Sequence, residues 1–261
     1  MSTAFLLGVA QTTIGSGLGF MLGILAFHYQ QQKQDDKKKD EEWKASLEAL
    51  RRLNIAASAN IENQLNAKSQ LIDDLRPETD KMKEKVESVY ASQGGDQQRL
   101  TSDLKTLAES LKHFHMSLPE VAIMPPPETK DYSMLSSDMP ALAMFVFRAV
   151  SVSEEMNARI VSRNTLLQQH ALEHIAGDGM TSRQLLHFSN MLVAEGLAIS
   201  EHNTNALFFW KMVRKQITVY MTNKASSEPF EEYPLVEEAD AQLPGDDLHP
   251  DYSALVATFE R

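Results

Sequence analysis

His170, Glu173 and His174 are the residues of this chain whose types and spacing come nearest to chemistry. The two histidines lie four positions apart, a little over one helical turn, so a helix carries both imidazoles on one side. Two neutral imidazoles held this way bind Zn²⁺, and a carboxylate between them is placed to handle a proton of metal-bound water. A catalytic zinc keeps three protein ligands and one open position, so a third donor must come from a facing segment. By residue type Glu195 and His187 are the candidates. A second account of the same residues needs no metal: His174 shares a helical sector with Met156, where an imidazole packs as a core side chain.

The run His170-Ala171-Leu172-Glu173-His174 resembles the H-x-x-E-H arrangement of the inverzincin metalloproteases. The resemblance covers five residues. It implies zinc ligation by His170 and His174, with Glu173 in the proton-transfer role. A membrane-attached zinc hydrolase is therefore the alternative reading, and the main reading assigns no catalytic residue, no metal and no cofactor.

Little else in the chain has a chemical signature. There is no cysteine, which excludes disulfide scaffolds, Cys-ligated zinc and thiol catalysis. His113 and His115 lie two apart and point to different sides of a helix, so they do not converge on one ion. No Gly-x-Ser-x-Gly elbow, P-loop or EF-hand loop is present. Gly15-Ser16-Gly17-Leu18-Gly19 has the glycines of a phosphate-cradling loop. Apolar helix on both flanks replaces the strand that such a loop must follow.

The elements that would position these residues are all helical. Ala4 to Phe27 contains no Asp, Glu, Lys, Arg or Pro. About 24 residues at roughly 1.5 Å each give about 36 Å, enough to cross a hydrocarbon layer of about 30 Å with some tilt. We read residues 1–29 as a single transmembrane anchor. Within it Gly8, Thr12, Gly15, Gly19 and Gly23 form a stripe of small residues on which two helices can approach closely, a self-association face. No cation precedes the span, whereas Lys33, Lys37, Lys38, Lys39 and Lys44 follow it. That asymmetry predicts an outside N-terminus and a cytoplasmic body at a bacterial inner membrane, with an exported body as the alternative. In outline the chain is similar to bacterial single-span proteins with a glycine-rich anchor and a cytoplasmic coiled coil.

Residues 30–118 read as a helical coiled-coil stalk. Trp43, Leu47, Leu50, Ala57, Ile61, Leu65, Ile72 and Leu75 recur at seam spacings, with a stutter near Ala57, and Pro77 is expected to end or kink this helix. After Gly94-Gly95 a second seam follows: Leu100, Leu104, Leu107, Leu111, Phe114 and Leu118, with Thr101 or Ser102 as its N-cap. The seam fits an antiparallel hairpin folded at the glycines or a zipper to a second chain, and with the second partner it becomes another oligomerisation face.

Residues 119–137, with Pro119 and Pro125 to Pro127, read as a semi-rigid polyproline spacer. Residues 138–224 read as a helical hairpin or small bundle, turned at Gly177-Asp178-Gly179 and restarted at Thr181 or Ser182. Its returning arm is expected to pass Ser200 to Asn205 as one lightly kinked helix, with a restart at Asn203 or Thr204 as the alternative. Leu207 to Lys215 is either a core stripe with snorkelling cations or a basic surface lying on anionic lipid.

The charge is concentrated at the end. From Ala225 onward ten acidic residues face only Arg261, so this segment carries −9 of the net −11. Residues 225–261 are expected to form an acidic, largely disordered tail, with a short helix from Tyr252 to Phe259 that docks back or binds a partner. The cations of the hairpin could receive it. No part offers a concentrated basic face, which argues against nucleic acid. Together these features predict an all-α, single-pass scaffold or adaptor. Its expected partners are the lipid bilayer, further copies of itself, and an unidentified protein held by the distal hairpin and tail.

Overall fold

Strong helix formers run without a breaker from the apolar N-terminal stretch to Ala67, and the chain follows them in one helix, α1 (Thr3–Ala67). Its 65 residues span about 98 Å at roughly 1.5 Å each. The computed structural model describes residues 3–95, 97–111, 114, 116–135, 139, 141–175, 180–223, 235 and 237–257. Side chains are outside that description at 1–23, 134, 171–179, 236–238, 253 and 255–261. The expected small-residue face of Gly8, Thr12, Gly15, Gly19 and Gly23 lies outside the described side chains. Among the described residues no strand occurs, and no helix is long and apolar enough to cross a membrane.

The middle of α1 is a solvated single helix. Residues 24–42 are exposed, including Phe27 at 64% and Tyr29 at 69%. Lys37 with Glu41, Lys38 with Glu42 and Asp40 with Lys44 form pairs four residues apart that line this stretch. Each such pair adds a few tenths of a kcal/mol to an exposed helix, about 0.2–0.5.

From Leu47 the helix enters the body. A π-helical turn, Lys68–Ile72, joins it to α2 (Asp73–Ser92). Pro77, expected to end or kink the helix, does not end it and stays inside α2. Proline deprives the carbonyl four residues earlier of its donor and crowds it, and the widened turn sits just before that carbonyl. Gly94 and Gly95 then reverse the chain into α3 (Gln97–Leu111), which starts before the expected cap, so Thr101 bonds back to the Gln97 carbonyl inside the helix. The glycine fold is thus an antiparallel hairpin: Met82, Val86 and Val89 of α2 share a core with Leu107 and Leu111 of α3.

The main pair is α4 (Leu142–Ile175) and α5 (Ser182–Asn223). Leu142, Val146, Ala149, Met156, Ile160 and Leu167 of α4 are buried, as their sector required. Thr181 opens α5 with a capping box: its hydroxyl accepts from the Gln184 N–H at 3.3 Å, and the Gln184 side chain accepts from the Thr181 N–H at 2.9 Å. α5 then runs without a break through Ser200 to Asn205. Asn203, a candidate cap by sequence, is instead buried and donates to the Gln64 side chain at 2.8 Å.

Three expectations need correction. No coiled-coil stalk stands apart from the hairpin, because Leu47, Leu50 and Leu53 of α1 pack in one core with Phe208, Trp210 and Val213 of α5. The second seam is also largely an internal surface: Leu107, Leu111 and Phe114 are buried, and Leu100 and Leu104 partly so. A heptad reports that a stripe is covered, not what covers it. The tail is likewise ordered over residues 237–257, with α6 (Glu237–Asp240), a 3₁₀ turn at Asp246–Leu248 and α7 (Pro250–Ala257). Leu235, Leu243 and Tyr252 rest partly buried on the core, where apolar seats and two lysines offset the mutual repulsion of the carboxylates.

Candidate functional site

The most elaborate polar and aromatic arrangement lies where the tail returns to α5. Lys211 and Lys215 fall one turn apart beside the buried residues Phe208, Phe209, Trp210, Met212 and Val213. That burial identifies the stripe as core and removes it from the lipid-surface reading. The two lysines keep their stems along the helix and place their ammonium groups on the tail. Lys211 Nζ lies 2.7 Å from Asp246 Oδ1 and donates to the Pro244 carbonyl at 2.8 Å, while Lys215 Nζ lies 3.2 Å from Asp246 Oδ2. The hydrogen bond from Lys211 holds the Asp246 carboxyl below its usual range. Lys215 adds to this against the opposing effect of partial burial.

Aromatic contacts complete the seat. The His249 ring stacks on Phe209 with centroids 5.7 Å apart and meets Phe208 edge-on at 4.9 Å, and one ring nitrogen pairs with Asn205 Oδ1 at 2.9 Å. Tyr252 sets its ring edge-on to Phe209 at 5.3 Å and to Phe145 at 6.2 Å. A carboxylate, an imidazole and a phenol from the tail thus read two ammoniums and three phenyl rings on the body. Charge-assisted and edge-to-face contacts of this kind specify orientation as well as binding.

A second peptide-like contact holds the connection between α3 and α4. Residues 116–128 run extended, as their prolines predict, but they are pinned rather than free. Asn164 accepts from the Leu118 N–H at 3.0 Å and donates to its carbonyl at 2.7 Å, and Asn157 does the same for Val121 at 2.8 Å in both directions. Asn60 repeats this on Met124 at 2.6 and 2.9 Å. The pinned positions are three apart, the period of a polyproline helix.

No family model, curated protein or solved structure matches this chain.

The zinc alternative finds little geometry. The His170 ring stacks on Phe188 at 4.6 Å, and the side chains of Glu173 and His174 lie outside the described residues. Glu195 accepts from the Ser162 hydroxyl at 2.9 Å and faces Arg159 at 3.5 Å, while His187 is exposed. Among the described residues no three His, Asp or Glu side chains are grouped to hold a metal. His113 and His115 also lie outside the described residues.

Sequence reading missed the asparagine pins and the buried Arg163. The signal was available for both: Asn157 and Asn164 are seven apart on one face of α4, and Arg163 stands three after Ile160 and four before Leu167, inside the apolar sector.

Proposed function

We propose that this chain is a single-pass membrane-anchored adaptor. Its helical body binds an acidic, aromatic segment of a partner protein at the α5 seat that its own tail occupies. The observation that carries this reading is the tail itself, docked through one carboxylate and two rings on a seat of matching chemistry. A partner segment carrying Asp or Glu a few residues before an aromatic side chain meets the same two lysines and phenyl rings. Exchange of one such segment for the other needs no rearrangement of the core.

The anchor reading is supported by the charge-free run from Ala4 to Phe27 and by the exposed helix that follows it, which separates that run from the body. The body is cytoplasmic by the lysines after the run, and copies associate through Gly8, Thr12, Gly15, Gly19 and Gly23. The role is non-enzymatic.

Carbonate extraction and in-cell photocrosslinking test the two parts separately. The full-length chain is expected to stay in the membrane fraction at high pH; recovery in the soluble fraction overturns the anchor. A photoreactive residue at Leu248, exposed on the tail, is expected to lose its crosslink to α5 when a partner segment is bound, and Lys211→Glu with Lys215→Glu abolishes that binding. Partner binding unchanged in the double variant overturns the seat.

A further inference from the structure

A separate feature of the body concerns Arg163, on α4 eighteen residues and about five turns beyond the Phe145 of the tail seat. This side chain is 2% exposed, yet among the described residues no carboxylate pairs with it. Nη1 donates to the Met116 carbonyl at 2.8 Å and Nη2 to the Phe114 carbonyl at 3.2 Å, and the guanidinium lies 5.7 Å from the centre of the Phe114 ring. Nε is buried without an acceptor. Two of the five N–H donors of an arginine are thus used, by neutral acceptors only. A buried cation without a counter-charge is strongly unfavourable, and burial pushes this guanidinium down to about 10.

Arg163 lines a cavity of about 130 Å³, whose walls include Leu71, Leu75, Phe114, Met116 and Leu118. At roughly 30 Å³ per water this is the room of about four waters, but the walls are mainly apolar and offer water few partners. The π-helical turn forms part of its wall, where Gln70 and Leu71 stand on a widened loop of backbone, and such turns recur at binding sites. Asp74 and Glu78, both exposed, also line it.

We infer that this cavity binds a short-chain apolar monocarboxylate, with the carboxylate on Arg163 and the chain between Leu71, Leu75 and Phe114. The carboxylate supplies a directly bonded counter-charge and accepts from the Arg163 donors that the Phe114 and Met116 carbonyls leave over. The hydrocarbon chain fills volume that water occupies poorly. A second carboxylate on the ligand would meet Asp74 and Glu78, so the site discriminates against dicarboxylates.

Titration of the purified full-length chain with ¹³C-carboxyl-labelled hexanoate, followed by NMR and by thermal unfolding, tests the assignment. Saturable one-to-one binding that raises Tm is expected, with hexanol and adipate weaker by about tenfold or more, the loss that follows from removing or repelling a charge-assisted hydrogen bond. Leu71→Trp fills the cavity from its π-helical wall and leaves the Arg163 bonds in place; it is expected to abolish binding while far-ultraviolet dichroism and cooperative unfolding stay native. Arg163→Met is expected to erase the preference for acid over alcohol. Hexanol binding as tight as hexanoate, undiminished binding in the Leu71→Trp protein, a surviving acid preference without Arg163, or no saturable binding each overturns the inference.

Discussion

The two ends of the helical body are built on different rules. Around Phe145, Phe208 and Trp210 the core is aromatic and closed. Its central polar contact is the Trp210 N–H to Ser153 Oγ at 3.3 Å, and Ser153 in turn donates to the Ala149 carbonyl at 2.7 Å. Around Ile160, Leu167 and Leu192 the core is aliphatic and punctuated by Arg163 and Glu195, bordered by Asn157 and Asn164, and it contains a cavity at a π-helical turn. The closed end fixes the relative placement of α1, α4 and α5. The punctuated end has a cavity beside a buried cation, which is where a small ligand can be recognised without dismantling the fold.

The sharpest way to break that contrast is to remove a large side chain from each end. Trp210→Ala is expected to destabilise by about 3–5 kcal/mol, because a fully enclosed indole leaves a cavity that its neighbours cannot fill. Leu71→Ala, on the wall of an existing cavity and half-buried, is expected to change stability by less than about 1 kcal/mol. Urea unfolding of both variants decides it, and equal losses would show that the ends are equally packed.

An intermediate effect is expected at the junction of α2 and α5. A Cβ on Gly196 would lie 2.5 Å from Thr79 Oγ1, and that hydroxyl is buried and already donates to the Leu75 carbonyl at 2.8 Å. Gly196→Ala must therefore push the helices apart or break the Thr79 bond, for about 1–3 kcal/mol. Rescue by Gly196→Ala with Thr79→Ala, measured as a double-mutant cycle, identifies close approach as the cause. Asn164→Ala is expected to fall in the same range or below it, about 1–3 kcal/mol, since it leaves both backbone groups of Leu118 without their partner. Hydrogen exchange at the Leu118 amide is the direct readout, and protection equal to wild type would mean that the pin is dispensable.

How far these features are readable from sequence depends on whether a local rule decides them. The α4–α5 pair is readable because its apolar sector, its glycine turn and the Thr181/Gln184 cap agree with one another. The seams of α1 and α3 are readable as buried faces but not as contacts, since Leu50 would show the same spacing against a second chain or against Trp210. Asn203 reads as a cap because its type favours one. Only the fold places Gln64 opposite it, across 139 positions of sequence. Arg163 was overlooked for the opposite reason: arginine is expected at the surface, and its place within the apolar sector carried less weight than its charge. The tail reads as largely disordered from its carboxylates and prolines, with only the helix from Tyr252 as a docking element, because nothing local shows that His249 meets Phe208 and Phe209.

The smallest expected effect concerns that tail and its dependence on pH. Asp246 faces Lys211 and Lys215, its neighbour Asp247 is exposed, and its folded pKa is lowered by the Lys211 hydrogen bond. A lowered carboxyl pKa contributes docking stability that is present above the unfolded value, near about 3.9, and is lost as pH falls through the folded value. The tail is therefore expected to stay docked at neutral pH and to loosen below about pH 4, with salt weakening the contact because the pair is partly solvent-exposed. The Tyr252 ring protons, displaced by the ring currents of Phe145 and Phe209, report docking. In Asp246→Asn they should already have moved toward free values at neutral pH and should lose their acid transition. A Tyr252 signal that is flat through acid in the wild-type chain, or identical in both proteins, would assign the docking to the rings alone and leave the two lysines free to select a partner by charge.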